Sequence, residues 1–380
     1  MPIPIVLFPG IMGSRLFFQN SGKFWDPDNK LRMLGWLPIR PFRSDDDNRL
    51  TLHASEPAGV IYDTSSNVSQ AASDRGWSTV PWSFYGPMLQ GLQTRFGAKG
   101  DVYAVGYDWR QDIEWLGGYA AEKIQGILGE TGATQAIVIT HSMGGLVLRS
   151  ALQGGSINEN DLVALLHICI PAAGAVNLYR RMFTGMITPY DGGGSIGDSV
   201  FRLILGNNRK GFVGNISGLP GAVQLLPSGY FPLDSHGAFW NAELTGVPFN
   251  GLYSSATSPP GIAPPTTVGL ATDVMADLQD RISDVANFEA FLGDPAQALH
   301  PETWLIYGTA QSTETHIAFR AGVAVPGVDA LGDGTVPQVS ALALNLNPQR
   351  VRSATVEHSM ACADTSVLNY TIDILSPYLP

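Results

Sequence analysis

The 380-residue sequence has only two cysteines, Cys169 and Cys362, and no run of basic residues anywhere. Two thiols in a chain this long read as free side chains rather than a disulfide framework, so a hydrophobic core must hold the fold. Lys and Arg number 22 against 33 Asp and Glu, a formal net charge of −11. Nucleic acid and anionic membrane surfaces are therefore poor partners, and a neutral or zwitterionic substrate fits better. No stretch of 18 or more apolar residues occurs, so no transmembrane helix is expected. The seven histidines show no metal-ligand spacing, and H-E-x-x-H and C-x-x-C are both missing; neither a metal nor a cofactor is expected. Gly192-x-Gly194-x-x-Gly197 matches a dinucleotide fingerprint in letters only, because it follows no strand and has no acidic partner. Met1-Pro2-Ile3-Pro4 leads straight into a strand and leaves no room for a signal peptide. The expected compartment is the cytoplasm, unless the sequence is a mature form whose leader has been removed.

Against these absences, 44% of the residues are hydrophobic, enough for a large core. Apolar runs suited to buried strands lie at residues 3–8, 101–107, 136–140, 162–170, 304–308 and 351–356. Helical patterns fall at 115–128, 145–152 and 366–375. Alternating strands and helices, with strands apolar throughout, predict an α/β fold with a mostly parallel sheet and helices on both faces. Two segments break the rhythm: an aromatic-rich stretch at 15–87 and a Gly-, Pro- and Ser-rich stretch at 176–301. Both are expected to be cap or lid insertions, dividing the core into 1–14, 88–175 and 302–380.

The most informative stretch is Ile137-Val138-Ile139-Thr140-His141-Ser142-Met143-Gly144-Gly145. It reads as strand, tight turn and helix, the layout that pushes a serine hydroxyl out at the top of a sheet. Thr140 stands where the G-x-S-x-G pattern has glycine. A serine nucleophile needs a base and an acid to orient that base, following in the order Ser, Asp, His. Asp333, in the turn Gly332-Asp333-Gly334, and His358, just after the sixth strand run, fit that order. His300 and His316 compete as the base but precede Asp333. The oxyanion needs two backbone N–H groups. Met143, after the nucleophile, supplies one; Ile11, in the loop Pro9-Gly10-Ile11-Met12-Gly13, supplies the other, with Met12 as the alternative.

Five motifs in order resemble the lecithin:cholesterol acyltransferase family, which includes lysosomal phospholipase A and the phospholipid:diacylglycerol acyltransferases. They are Val6-Leu7-Phe8-Pro9-Gly10-Ile11-Met12-Gly13-Ser14-Arg15-Leu16, Tyr107-Asp108-Trp109-Arg110, Thr140-His141-Ser142-Met143-Gly144-Gly145, Gly332-Asp333-Gly334-Thr335-Val336 and Glu357-His358. The resemblance implies an α/β-hydrolase fold with cap insertions, Ser142, Asp333 and His358 as the triad, an oxyanion donor in loop 9–13, and Arg110 bracing the cap-side loops. It implies acyl-ester chemistry on lipids. Hydrolysis of lipid-like or other apolar esters is the first expectation, acyl transfer to an alcohol the second, and a silent binding scaffold the third. Beyond the ester itself, a lipid surface is an expected partner. Leu31, Met33, Leu34, Trp36, Leu37 and Ile39 form an apolar run with cationic flanks, and Trp36, Leu37 and Met12 are expected to meet substrate, the alternative being that the run packs on the core.

Overall fold

The computed structural model describes residues 2–36, 52–63, 68–184, 204–206, 209–231, 272–309, 311–320, 323–327 and 330–379. Six strands form its central sheet: β1 (Ile5–Phe8), β2 (Val102–Ala104), β3 (Ala136–His141), β4 (Leu162–Ile168), β5 (Thr303–Gly308) and β6 (Val351–Ala354). All five pairings are parallel, in the order β6-β5-β4-β3-β1-β2. Each of the six apolar runs has become one of these strands. Buried on both faces, such strands need no polar alternation, which is why continuous Val, Ile and Leu mark them.

Successive side chains point to opposite faces and feed two separate cores. Val6, Phe8 and Val138 pack with helices α1 (Ile113–Thr131) and α2 (Met143–Gln153). Ile5, Leu7, Ile137 and Ile139 pack with the helix Trp82–Phe96 and the C-terminal helix Thr365–Leu375. The first of these last two spans the expected boundary at residue 87, and Trp77, Val80 and Tyr85 before it pack with Met88, Leu89 and Leu92 after it in the core of the sheet's second face.

The start of the aromatic-rich stretch forms a small antiparallel sheet of Leu16–Phe18, Phe24–Trp25 and Ala58–Val60. Buried charge ties it down. Arg15, 1% exposed, pairs with Asp26 at 3.0 Å and Asp28 at 2.6 Å, and donates to the carbonyls of Ser78 and Val80. Between β5 and Asp333 lies a hairpin, His316–Arg320 with Val323–Gly327, that the sequence reading does not anticipate. Among the described residues no helix is long and apolar enough to cross a membrane.

Candidate active site

The strand order reverses beside β1: β2 lies on one side and β3 on the other. In open α/β sheets the crevice beyond the carboxyl ends of strands at such a reversal is where ligands bind. The loop after β1 and Ser142 after β3 face each other there. Ser142 has φ 53° and ψ −126°, a strained conformation for a residue with a side chain, and its N–H is held by the Ile168 carbonyl at 2.9 Å. The turn is this tight because neighbouring backbone touches it. A Cβ on Gly144 would stand 2.6 Å from the Pro9 oxygen, and one on Gly10 would stand 2.8 Å from the Ser142 Cβ. Thr140, the departure from the glycine pattern, points along the sheet instead. It pairs in register with His167 on β4, its hydroxyl 2.7 Å from the His167 Nδ1.

The His358 Nε2 lies 2.9 Å from the Ser142 Oγ, and its Nδ1 lies 2.8 Å from the Asp333 Oδ2. A carboxylate only accepts, so Nδ1 carries the proton and Nε2 is free to accept from the serine hydroxyl. The other carboxylate oxygen accepts from the N–H groups of Thr335 at 3.0 Å and Val336 at 2.7 Å. Burial pulls the His358 pKa down, but the Asp333 charge and hydrogen bond outweigh it and leave it above the ordinary imidazole value. Burial would raise the Asp333 carboxyl; the His358 partner and the two N–H groups hold it below its ordinary value. Competing His300 is turned away, its Nε2 3.2 Å from the Leu162 carbonyl; His316 lies on the hairpin. Cys169, with φ 52°, brings its thiol within 4.8 Å of the Asp333 and His358 ligand atoms. Both His358 nitrogens are engaged by Asp333 and Ser142.

Across the crevice, the loop after β1 is a turn closed by Gly13 N–H on the Gly10 carbonyl at 3.0 Å. Met12 has φ 62°, and its carbonyl accepts from the Trp25 indole at 3.0 Å. The N–H groups of Ile11 and Met12, and that of Met143 at the first position of α2, have no acceptor among the described residues. Unpaired donors on a loop and a helix N-terminus beside Ser142 suit a developing anion.

A sequence model of one protein family matches residues 82–190. That family is lecithin:cholesterol acyltransferase. The matched stretch holds the Tyr107–Arg110 motif and the elbow; Asp333 and His358 lie beyond it. Over the whole length, the crystal structure of the Tle4-Tli4 complex superposes with a TM-score of 0.69 at 18% identity, covering 99% of both chains. The mature form of Bacillus licheniformis lipase BlEst2 aligns at 12% identity and TM-score 0.35, covering 100% of this chain and 92% of that one. The lin2722 product of Listeria innocua aligns at 11% and 0.37, covering 99% and 94%. No curated protein matches the sequence. The fold is that of an α/β hydrolase.

In the stretch Tyr107-Asp108-Trp109-Arg110, Arg110 is fully buried and ties neighbouring loops together. It forms a two-pronged pair with Asp108 at 2.8 and 2.7 Å and donates to the carbonyls of His53 and Glu56 at 2.7 and 2.9 Å. Tyr107 donates to the Pro9 carbonyl at 2.7 Å, anchoring the oxyanion-side loop. Trp36, expected either to meet substrate or to pack on the core, is 1% exposed and edge-on to Phe18 and Trp25, with its indole donating to the Phe24 carbonyl, so it packs in the core. Met33 is buried with it, whereas Leu31 and Leu34 face outward at 81% and 44% exposure. Leu37 lies outside the described residues. Tyr85, which touches both the Gly10 N–H and His141 at 3.0 Å, gave no signal in the sequence; one aromatic in an apolar helix reads as core.

Proposed function

We propose that the protein is a serine hydrolase of lipid-like carboxylic esters, working through an acyl-Ser142 intermediate. The observation that carries this reading is the unbroken line from Asp333 through His358 to the Ser142 hydroxyl. His358 takes the serine proton as Oγ attacks the ester carbonyl, and the N–H groups of Met143 and Ile11 receive the oxyanion. Collapse breaks the ester bond, and His358 Nε2–H protonates the departing alcohol. Water, activated by the same nitrogen, then attacks the acyl-serine and releases the acid. Asp333 keeps the imidazole in one tautomer throughout and stabilises its cationic form. The residues supply every proton and charge the cycle needs.

A long-chain alcohol in place of water would turn the same intermediate into acyl transfer. The family match at residues 82–190 favours keeping that second reading. A net charge of −11 suits neutral or zwitterionic esters over anionic ones. The test is a fluorophosphonate probe, a short-chain ester and a phospholipid with added long-chain alcohol. Ser142→Ala should abolish labelling and lower kcat by about 10⁴-fold. A variant retaining a tenth of wild-type turnover would defeat the assignment, and the ratio of free acid to alkyl ester decides between hydrolysis and transfer.

A further inference from the structure

Behind Ser142 runs a chain of hydrogen bonds that the reaction itself does not use. The Gly10 N–H donates to the Tyr85 hydroxyl at 3.0 Å, the hydroxyl lies 3.0 Å from the His141 Nδ1, and the His141 Nε2 lies 3.0 Å from the His358 carbonyl oxygen. Every direction in it is determined. A carbonyl only accepts, so His141 carries its proton on Nε2 and donates there. Its Nδ1 is then an acceptor, so the Tyr85 proton points at it, which leaves the Tyr85 oxygen to receive Gly10. His141 is neutral in this arrangement, and burial, followed by the nearby His358, pushes its pKa down to about 3. Burial likewise keeps the Tyr85 phenol protonated.

The two ends of this chain lie on two separate parts of the site: the loop with the oxyanion donors and the segment with the base. We propose that Tyr85 and His141 are positioning residues for acyl transfer, fixing loop 9–13 and His358 on opposite sides of Ser142 through one directional hydrogen-bond chain. The proposal rests on the acyl-serine reading. It also explains donor choice in the loop. Gly10 N–H is consumed by Tyr85, so Ile11 and Met12 are left to face the substrate oxygen. The loop has no slack, because a Cβ on Gly13 would stand 2.6 Å from the Tyr85 oxygen and one on Gly10 would stand 3.1 Å from the His141 Nδ1.

Tyr85→Phe removes one oxygen and keeps the ring. Loosening both loops should lower kcat by about tenfold to a hundredfold with KM changed less than threefold, since orientation is lost and not binding. His141→Gln keeps a donor toward the His358 carbonyl but not the acceptor toward Tyr85. The double variant should lose little more than the worse single variant, because both break one chain. In ¹⁵N-histidine-labelled wild-type protein, His141 should show a single Nε2–H tautomer that does not titrate from pH 5 to 8; in Tyr85→Phe its Nδ1 resonance should move. Wild-type kcat in Tyr85→Phe with Ser142 still labelled by fluorophosphonate overturns the positioning role and leaves the acyl-serine reading standing. Multiplying losses in the double variant overturn it too. Failure of the probe to label wild-type Ser142 overturns the reading and the proposal together.

Discussion

Replacing Gly10 with alanine adds a single methyl group whose carbon would lie 2.8 Å from the Ser142 Cβ, 3.1 Å from the His141 Nδ1 and 3.3 Å from the Ser142 Oγ. Ordinary carbon–carbon contact needs about 3.5–4 Å, so loop and elbow must separate by roughly 0.7–1.2 Å. Neither side has a flexible side chain to give way, because the obstacle is the first carbon of Ser142 itself. Overpacking of this kind costs about 1–3 kcal/mol of stability. The larger effect should fall on rate. A displacement near 1 Å between nucleophile and oxyanion donors costs about a hundredfold in kcat. Gly118→Ala in α1 is the matched control, since its added methyl meets nothing within 4 Å. It should leave kcat unchanged and stabilise the exposed helix by up to about 1 kcal/mol. Stopped-flow acylation with a chromogenic short-chain ester, alongside melting curves, measures both. Gly10→Ala retaining kcat within twofold of wild type would refute the close approach on which the site is built.

The base should titrate above the ordinary imidazole value, because Asp333 raises the His358 pKa against its burial. kcat/KM should therefore rise with pH through a limb above 6.5, and Asp333→Asn should both cut kcat by about 10⁴-fold and remove that raised limb; an unchanged profile in the variant would break the link. Stability should fall with acid as well. His141 and His167 are each lowered by burial to about 3, so between pH 6.5 and 3 the unfolded chain binds two protons that the folded chain refuses. Below pH 6 these two histidines should make the unfolding free energy fall as pH falls, offset in part by Glu289, whose carboxyl burial raises to about 7 so that the folded chain takes up its proton first. Urea titrations at pH 7 and 5 giving equal stability would contradict this.

The central sheet was legible because each strand is an unbroken apolar run buried on both faces, and the chain order of Ser142, Asp333 and His358 picked out residues that the fold brings within hydrogen-bond distance. Composition hid other features. Trp36 was expected to meet substrate or to pack on the core, and it lies with Trp25 and Trp109 in the core. Periodicity alone cannot say whether an aromatic run faces lipid or the inside of its own sheet. Alternate residues decided it here: Met33 and Trp36 turn in, Leu31 and Leu34 turn out. Tyr85 was invisible for a different reason. Its role comes from one hydroxyl meeting Gly10 and His141, 75 residues before it and 56 after, and no local pattern encodes such a contact.

The site's precision follows from how its parts are shared among strands. Ser142 follows β3, loop 9–13 follows β1, Asp333 lies beyond β5 and His358 follows β6, so no single element could place them. Parallel strands bring all four carboxyl ends to one edge, but edge loops alone are too loose for chemistry that fails at 1 Å. Backbone clamps supply the remaining constraint. His358 N–H is held by the Asp333 carbonyl at 2.9 Å while its own carbonyl is held by His141, so the base is gripped on both sides of its Cα before its ring makes any contact. Tyr107 and Tyr85 grip the opposite loop at Pro9 and Gly10, one through a carbonyl and one through an N–H. Ser142, His358 and loop 9–13 are thus held by groups outside the proposed reaction, and under the acyl-serine reading substitutions in that outer layer should cost rate well before they cost the fold.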